Sequence, residues 1–142
     1  MRPLAEGAGR GGEESIRALS PLLKGLPDTF PSLRILALHG SRARGDADQA
    51  SDWDFAYLGD GPLDVTSLQG ALIDALARED VDLVDLSRAS GLMRYRVARD
   101  GRALFERTPD AFDDFRLEAA LYWIDMQDVI RAEHEGILER LG

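Results

Sequence analysis

Several residue types that build particular kinds of site are absent or scarce in this chain of 142 residues. It contains no cysteine, which excludes disulfides and thiolate metal sites. Its only two histidines, His39 and His134, would both be needed for even a partial zinc site. Carboxylates are plentiful by contrast, so any metal site is expected to use oxygen ligands and to bind a hard cation.

Positive charge and long apolar runs are also scarce. The formal net charge is −9 at pH 7, and such a surface repels nucleic-acid phosphates while attracting a basic protein partner. No apolar run approaches the roughly 20 residues that span a bilayer. The N-terminal segment, MRPLAEGAGRGG, has no apolar signal core. These absences predict a cytoplasmic protein without a direct nucleic-acid or membrane partner.

The apolar pattern predicts an alternation of helices and strands, typical of an α/β or α+β domain. Residues 1–12 are rich in glycine and predict a flexible tail, which leaves residues 13–142 as a single domain. Early helices are predicted at Glu13–Leu26, which the segment from Pro27 ends, and from Asp64 or Thr66 to Arg78. The predicted strands or extended segments are Leu33–Leu38, Trp53–Leu58, Val81–Leu86 and Ala103–Glu106.

A long helix is predicted from Pro109 nearly to the end of the chain. An apolar stripe at three- and four-residue spacing follows it: Phe112, Phe115, Ala119, Tyr122, Met126 and Ile130. Such a stripe is first of all expected to pack against the core. Trp123 and Val129 widen it, which leaves a partner surface as the alternative.

The stretch from Leu36 to Leu58 (LALHGSRARGDADQASDWDFAYL) carries the recognisable chemistry. An apolar run ends at Gly40-Ser41, and after ten further residues a second strand carries Asp52 and Asp54. Glycine lets the backbone approach a ligand, and serine offers a hydroxyl and an N–H at an expected helix start. Residues two apart in a strand share a face, so both carboxylates point the same way. The pattern predicts a phosphate-binding turn beside a metal-binding strand.

A third carboxylate is available from VDLVDL at residues 81–86. Asp82 and Asp85 are three apart and face opposite sides of a strand, so only one of them can join Asp52 and Asp54. Three converging carboxylates suit Mg²⁺, and two-metal sites hold ions about 3.5–4 Å apart. For the Asp-x-Asp pair taken alone, an ordinary edge strand with solvated carboxylates is the simpler interpretation.

The segment GSRARGDADQASDWDFAYL resembles the signature of the DNA polymerase β-like nucleotidyltransferase superfamily, in its minimal nucleotidyltransferase branch. That signature is Gly-Ser, ten residues, Asp-x-Asp and a later acidic residue in a VDLV-like strand. The following segment, VDLVDLSRASGLMRYRVARDGRALFE, and the long helix after it are similar to antitoxins of HEPN/MNT toxin–antitoxin pairs. The resemblance implies an α+β nucleotidyltransferase fold, with a small mixed sheet flanked by helices and a long C-terminal helix.

The resemblance also implies nucleotide and metal ligands. Gly40 and Ser41 would bind the triphosphate of ATP, and Arg42 and Arg44, which flank this turn, would neutralise part of its charge. The carboxylates would bind Mg²⁺: Asp52, Asp54 and Asp82. Asp82 matches the third acidic position, where it would also help to deprotonate an acceptor hydroxyl, and Asp85 is the second choice for that role.

The function implied by the resemblance is that of an adenylyltransferase antitoxin. It would transfer AMP from ATP to a tyrosine of a cognate HEPN RNase toxin, with which it would form a hetero-oligomer. One alternative is nucleotidyl transfer to a small molecule, as in aminoglycoside nucleotidyltransferases, but the chain has no room for an acceptor-binding domain. Another is an antitoxin that only masks its partner, which would have no need of three aligned carboxylates.

The remaining polar features stay open at the level of sequence. His39 stands where the superfamily often has an aromatic or apolar residue, and it is expected to be packed rather than catalytic. The only basic concentration comprises Arg94, Arg96, Arg99 and Arg102. It is expected to be a solvated face, or else to contact ATP phosphates or an acidic patch on a partner.

Overall fold

A computed structural model describes residues 15–48 and 50–141, so the tail predicted at residues 1–12 lies outside the described residues. Residues 15–18 are helical. The later helices are α1 (Ser20–Thr29), α2 (Gly40–Arg44), α3 (Val65–Leu76), α4 (Gly91–Asp100) and α5 (Ala111–Leu141). The strands are β1 (Leu33–His39), β2 (Trp53–Gly59), β3 (Val81–Asp85) and β4 (Arg102–Glu106). Within the described ranges, no helix combines the length and apolar character that crossing a membrane requires.

The four strands form one mixed sheet in the order β3-β2-β1-β4. β1 runs antiparallel to both β2 and β4, whereas β2 and β3 are parallel. A parallel pair needs a long crossover, and α3 supplies it. The mixed sheet, its covering helices and the long last helix confirm the α+β fold expected from the sequence.

The sheet separates two apolar cores, because alternate residues of a strand point to opposite faces. Leu36 and Phe55 belong to the core that α1 and α3 cover. Ala37 and Ala56 belong to the core on the other face, which α4 and α5 cover. The small alanines let α4 and α5 approach this second face closely. After the register shift between Leu33 and Ile35, the alternation along β1 and β2 fixes the direction of the polar side chains at the strand ends near His39 and Asp54.

Two helix ends differ from the sequence prediction. Pro27 does not end α1 but lies inside it, in the last turn, where the helix continues to Thr29. The cost of the missing N–H is limited there, since few residues of the helix follow. Asp64 caps α3 by accepting a hydrogen bond from the Ser67 N–H (3.1 Å). The helix ends at Leu76, two residues before the predicted end, because Ala77 adopts a left-handed φ of 53°.

The apolar stripe of α5 is buried only in its first half, so the expected packing on the core is found there and not in the second half. Phe112, Phe115 and Ala119 are buried, whereas Tyr122 and Ile130 are 54% and 55% exposed. The helix has 31 residues and therefore spans about 46 Å at 1.5 Å per residue. The longest strands have seven residues, or about 23 Å. α5 is thus much longer than the sheet on which it packs.

Candidate active site

The turn between β1 and α2 requires a glycine for two reasons. Gly40 has a φ of +71°, which is unfavourable for residues with a Cβ atom. A Cβ atom on Gly40 would also lie 2.4 Å from Oδ2 of Asp54. The group that approaches this glycine in the structure is therefore the Asp54 carboxylate. Ser41 follows at the start of α2, as the sequence predicts.

Three polar residues lie in register across three strands beside this turn. His39 of β1 is the partner of Asp54 in β2, and Asp54 is the partner of Asp82 in β3. Register partners project to the same face, here the one covered by α4 and α5. Asp85 is instead the partner of Tyr57, on the opposite face. Asp82 is therefore the β3 carboxylate that the fold brings next to Asp54.

Asp52 lies directly before β2 and is exposed. The backbone next to it is held by two arginines, which both donate to the carbonyl oxygen of Ser51. Arg42 does so from Nε at 3.2 Å and from Nη2 at 2.8 Å, and Arg78 from Nη2 at 3.4 Å. Arg78 also forms an ion pair with Asp80. The loop thus reaches β2 in a fixed position, although its middle is polar and exposed.

The carboxylates of the site repel one another. Burial raises the pKa of Asp54 most, His39 opposes that change, and Asp82 and Asp52 add to it through like charge. Burial lowers the pKa of His39, against the opposing effects of Asp54, a hydrogen bond to the Phe55 backbone and Asp82. His39 is only 9% exposed, and its Nε2 has no hydrogen-bond partner in the described part of the chain. A cation among these carboxylates would relieve the repulsion.

The donor set fits a hard divalent cation, although the side chains are not gathered around one. Among the described residues, no group of three acidic or histidine side chains is arranged to hold a metal ion as it stands. Asp54 and Asp82 are nevertheless oxygen donors on neighbouring strands, which lie about 4.8 Å apart. Their placement as register partners on one face of the sheet is an arrangement in which two carboxylates can share a cation.

The two arginines of α2, Arg42 and Arg44, have different surroundings. The guanidinium of Arg42 stacks on the Trp53 ring, 4.2 Å from its centroid, in addition to its hydrogen bonds to Ser51. These contacts favour a role in holding the loop. Arg44 is paired with Asp46 at 3.3 Å and with Asp100 at 3.7 Å. A contribution of either side chain to nucleotide binding remains a prediction.

Sequence reasoning missed Asp100 and Arg78. Asp100 ends α4, its side chain is 14% exposed, and it lies between Arg44 and Arg99, whose Nη2 is 2.8 Å away. No local pattern could have found this contact, because α2 and α4 are far apart in the chain. The predicted basic concentration is accordingly not one patch. Arg99 pairs with Asp100, while Arg94 stacks on Phe115 of α5 at 5.5 Å.

Comparison with known families and proteins agrees with this geometry. The polymerase beta nucleotidyltransferase family matches residues 23–110 of the chain. The protein adenylyltransferase MntA of Aphanizomenon flos-aquae is 33% identical over 143 residues, which cover 90% of this chain and 95% of the relative. The protein adenylyltransferase MntA of Shewanella oneidensis is 33% identical over 121 residues, 83% of each chain.

Solved structures show the same similarity in three dimensions. One is a toxin–antitoxin structure with AMP-PNP, matched with a TM-score of 0.62 and 32% identity over 84% of this chain and 94% of the other. Another contains the tri-AMPylated HEPN toxin of Shewanella oneidensis in complex with MNT antitoxin. It is matched with a TM-score of 0.60 and 28% identity over 89% of this chain and 98% of the other.

Proposed function

Because the chain belongs to the polymerase beta nucleotidyltransferase family, we propose that it is an antitoxin that transfers AMP from ATP to a tyrosine of a cognate HEPN toxin. The two relatives are named protein adenylyltransferases, and the alignment spans 95% of one of them. The similar solved structures are toxin–antitoxin complexes, one with AMP-PNP and one with an AMPylated toxin. The choice of tyrosine as the acceptor rests on the family resemblance of the sequence. The use of ATP is consistent with the expected cytoplasmic location.

The observation that carries this proposal is the register of Asp54 and Asp82 beside Gly40. A nucleotidyl transfer needs carboxylates next to a turn that can receive phosphates. The parallel pairing of β2 with β3 places Asp82 next to Asp54, and the absence of a Cβ atom at Gly40 makes room for the Asp54 side chain. The same turn starts α2, and the N–H groups at this helix start and the Ser41 hydroxyl would bind the triphosphate.

The three carboxylates Asp52, Asp54 and Asp82 are the residues that would hold Mg²⁺ in this site. When bound, the metal would neutralise the negative charge that develops on the phosphate oxygens. Arg44, which forms an ion pair with Asp100, would add a positive charge at the end of α2. Arg42 contributes chiefly by holding the loop that carries Asp52.

The chemistry is a single displacement at phosphorus. The acceptor oxygen forms a bond to the α-phosphorus, and the bond from this phosphorus to the bridging oxygen of the β-phosphate breaks. Pyrophosphate leaves with the bonding electron pair, and Asp82 accepts the proton of the attacking hydroxyl. Asp82 is exposed, so the acceptor side chain of a second protein can reach it. Most of the acceleration then comes from alignment of the two reactants.

The decisive experiment measures transfer of label from ATP to the toxin encoded by the neighbouring gene, in the presence of Mg²⁺. Wild type is expected to label the toxin and to abolish its RNase activity. The Asp52→Ala/Asp54→Ala variant is expected to lose both effects. A matched control, Asp60→Ala/Asp74→Ala, removes two exposed carboxylates remote from the turn and is expected to label the toxin normally.

The same experiment distinguishes the two alternatives. An antitoxin that masks its partner would neutralise the toxin equally well as wild type or as the Asp52→Ala/Asp54→Ala variant. An enzyme for small molecules would leave the toxin unlabelled and would label an aminoglycoside instead. Either result would contradict the proposed function.

A further inference from the structure

Within residues 15–48 and 50–141, no surface covers the last part of α5. Every residue from 124 to 141 except Gly136 is exposed, and this segment is called here the free end of α5. Ile130 is 55% exposed, Ile137 is 48% exposed and Leu141 is 79% exposed. The beginning of the same helix is well packed, since Phe115 is buried against the sheet.

The exposed apolar line of the free end continues the buried face of the helix. Residues three and four apart lie on one side of a helix, so Met126, Ile130, Ile137 and Leu141 prolong the line that begins at Phe112. Most of the stability of a helix in a protein comes from packing of its apolar face rather than from intrinsic helix propensity. A long exposed apolar line on a soluble protein marks an interaction site. The free end is therefore expected to be covered by another molecule.

Glu133 indicates the chemistry of the covering surface. It occupies the apolar line itself, three residues after Ile130 and four before Ile137. Covering the line would remove this carboxylate from water, which is costly unless a cation meets it. The free end carries five acidic and two basic side chains, so its surroundings are also negative. The partner surface is expected to be apolar with basic side chains at its rim.

We propose that the free end of α5 docks in an apolar groove of the cognate toxin, with a lysine or arginine of the toxin opposite Glu133. This inference rests on the proposed function, which makes a second protein the acceptor. An RNase must attract RNA phosphates, so it is expected to have basic surfaces. Docking through a helix away from the turn raises the local concentration of the acceptor hydroxyl near Asp82.

A second copy of this chain is a poorer occupant of the same surface. The chain has a net charge of −9, so two copies repel each other. Pairing two free ends would also bring together two segments in which acidic side chains outnumber basic ones by five to two. Such a pair offers few cations for Glu133, whereas a basic toxin offers many.

Two charge reversals on the free end form a matched test. Glu133 and Glu135 are both exposed and two residues apart, but 200° of helical rotation places Glu135 on the side away from the apolar line. Glu133→Lys is expected to raise the dissociation constant and the KM for the toxin by about tenfold or more. The reason is that the new lysine would face the lysine or arginine of the toxin, and the two positive charges repel each other. Glu135→Lys, with the same change in net charge, is expected to change both by less than about twofold.

A third variant tests the apolar part of the line. Ile130→Ser is expected to weaken toxin binding, measured by titration calorimetry, while the KM for ATP stays unchanged. Circular dichroism of each variant checks that the helix persists. Equal effects of Glu133→Lys and Glu135→Lys would overturn the proposal. A dimer of the free chain that Ile130→Ser dissociates, seen by sedimentation, would also overturn it in favour of a second copy.

The outcomes separate this proposal from the proposed function. If wild type binds the toxin but transfers no AMP, and Glu133→Lys weakens that binding, the enzymatic function fails and the docking surface stands. If wild type transfers AMP and Glu133→Lys leaves the KM for the toxin unchanged, the docking surface fails and the function stands.

Discussion

Asp82 and Asp85 lie three residues apart on β3 and have different surroundings. Asp82 is exposed and is the register partner of Asp54, beside the glycine turn. Asp85 faces the other side of the sheet, where it accepts hydrogen bonds from the N–H (2.9 Å) and the hydroxyl (2.7 Å) of Ser87. One carboxylate is thus left available to a ligand, and the other is satisfied by its own protein.

The difference arises because the two aspartates, three residues apart in a strand, face opposite sides of the sheet. Residue type does not distinguish them. The motif VDLVDL offers both as candidates, and a shift of one residue in the pairing of β3 with β2 would exchange their faces. Burial raises the pKa of Asp85, but hydrogen bonds from Ser87 and from the Tyr57 phenol outweigh it and lower the pKa overall. Asp85 is therefore suited to stabilise the fold.

Replacing the exposed carboxylate is expected to give the largest effect. Asp82→Asn keeps the size of the side chain but removes the charge and the proton acceptor. The rate of AMP transfer at saturating ATP and toxin is expected to fall by about 10²–10⁴-fold. Steady-state kinetics with labelled ATP measure this change. A fall of similar size in Asp85→Asn would show that the assignment of the two carboxylates is wrong.

Gly40→Ala is expected to disturb the site that contains Asp82, because it displaces the neighbouring carboxylate of Asp54. The new methyl group would lie 2.4 Å from Oδ2 of Asp54, so the carboxylate must move away from the turn. Misplacement of this kind is expected to lower the rate of AMP transfer by about 10²-fold. The left-handed φ adds roughly 1–2 kcal/mol of strain to the folded state. Gly61→Ala, at a glycine with open space around it, is a suitable control for kinetics and thermal unfolding.

Asp100→Asn is expected to give a moderate effect, because it acts on the site through Arg44. Loss of this ion pair leaves the Arg44 guanidinium paired with Asp46, and partly exposed pairs are worth about 0.2–1 kcal/mol. The KM for ATP is therefore expected to rise by up to about fivefold with little change in kcat. A purely structural role of Asp100 would instead lower thermal stability and leave the KM for ATP unchanged.

Asp85→Asn is expected to have the smallest effect on catalysis, less than about twofold, but to destabilise the protein by about 1 kcal/mol at neutral pH. Because the pKa of Asp85 is lower in the folded state, its ionised form contributes stability above the unfolded pKa, which is about 3.9. This contribution is lost as the pH falls through the folded pKa. Denaturant unfolding of both proteins should show a difference at pH 7 that shrinks below about pH 4. A difference independent of pH would contradict this assignment.

Much of the candidate site could be predicted from local sequence. The spacing of Gly40-Ser41 from Asp52 and Asp54 indicated the turn and the strand, and the spacing of Asp82 from Asp85 showed that they face opposite sides. These are properties of short segments, in which the period of a strand is known. The family membership and the mixed sheet expected from the resemblance are confirmed. The roles of the individual site residues stay predictions.

The contacts between distant segments could not be predicted. Asp100 reaches Arg44, and Arg78 reaches Ser51, only because the sheet brings their elements together. The point along α5 at which burial ends could not be predicted for a related reason. Periodicity identifies an apolar face, as it did from Phe112 to Ile130, but it carries no information about where the surface beneath that face ends.

The hydrogen bonds to the Ser51 carbonyl oxygen determine which part of the loop between α2 and β2 can vary. Arg42 at one end of the loop and Arg78, two residues after the end of α3, both hold the residue directly before Asp52. The turn from Asp48 to Ser51 is a third anchor, since the Asp48 N–H donates to the Ser51 hydroxyl at 3.0 Å. The position of Asp52 therefore depends on anchors that lie at the end of the loop. Insertions after Asp46 should then be tolerated far better than the loss of either arginine. The loop could accept a grafted peptide, such as an affinity tag or a fluorescent label, next to a site that keeps its geometry.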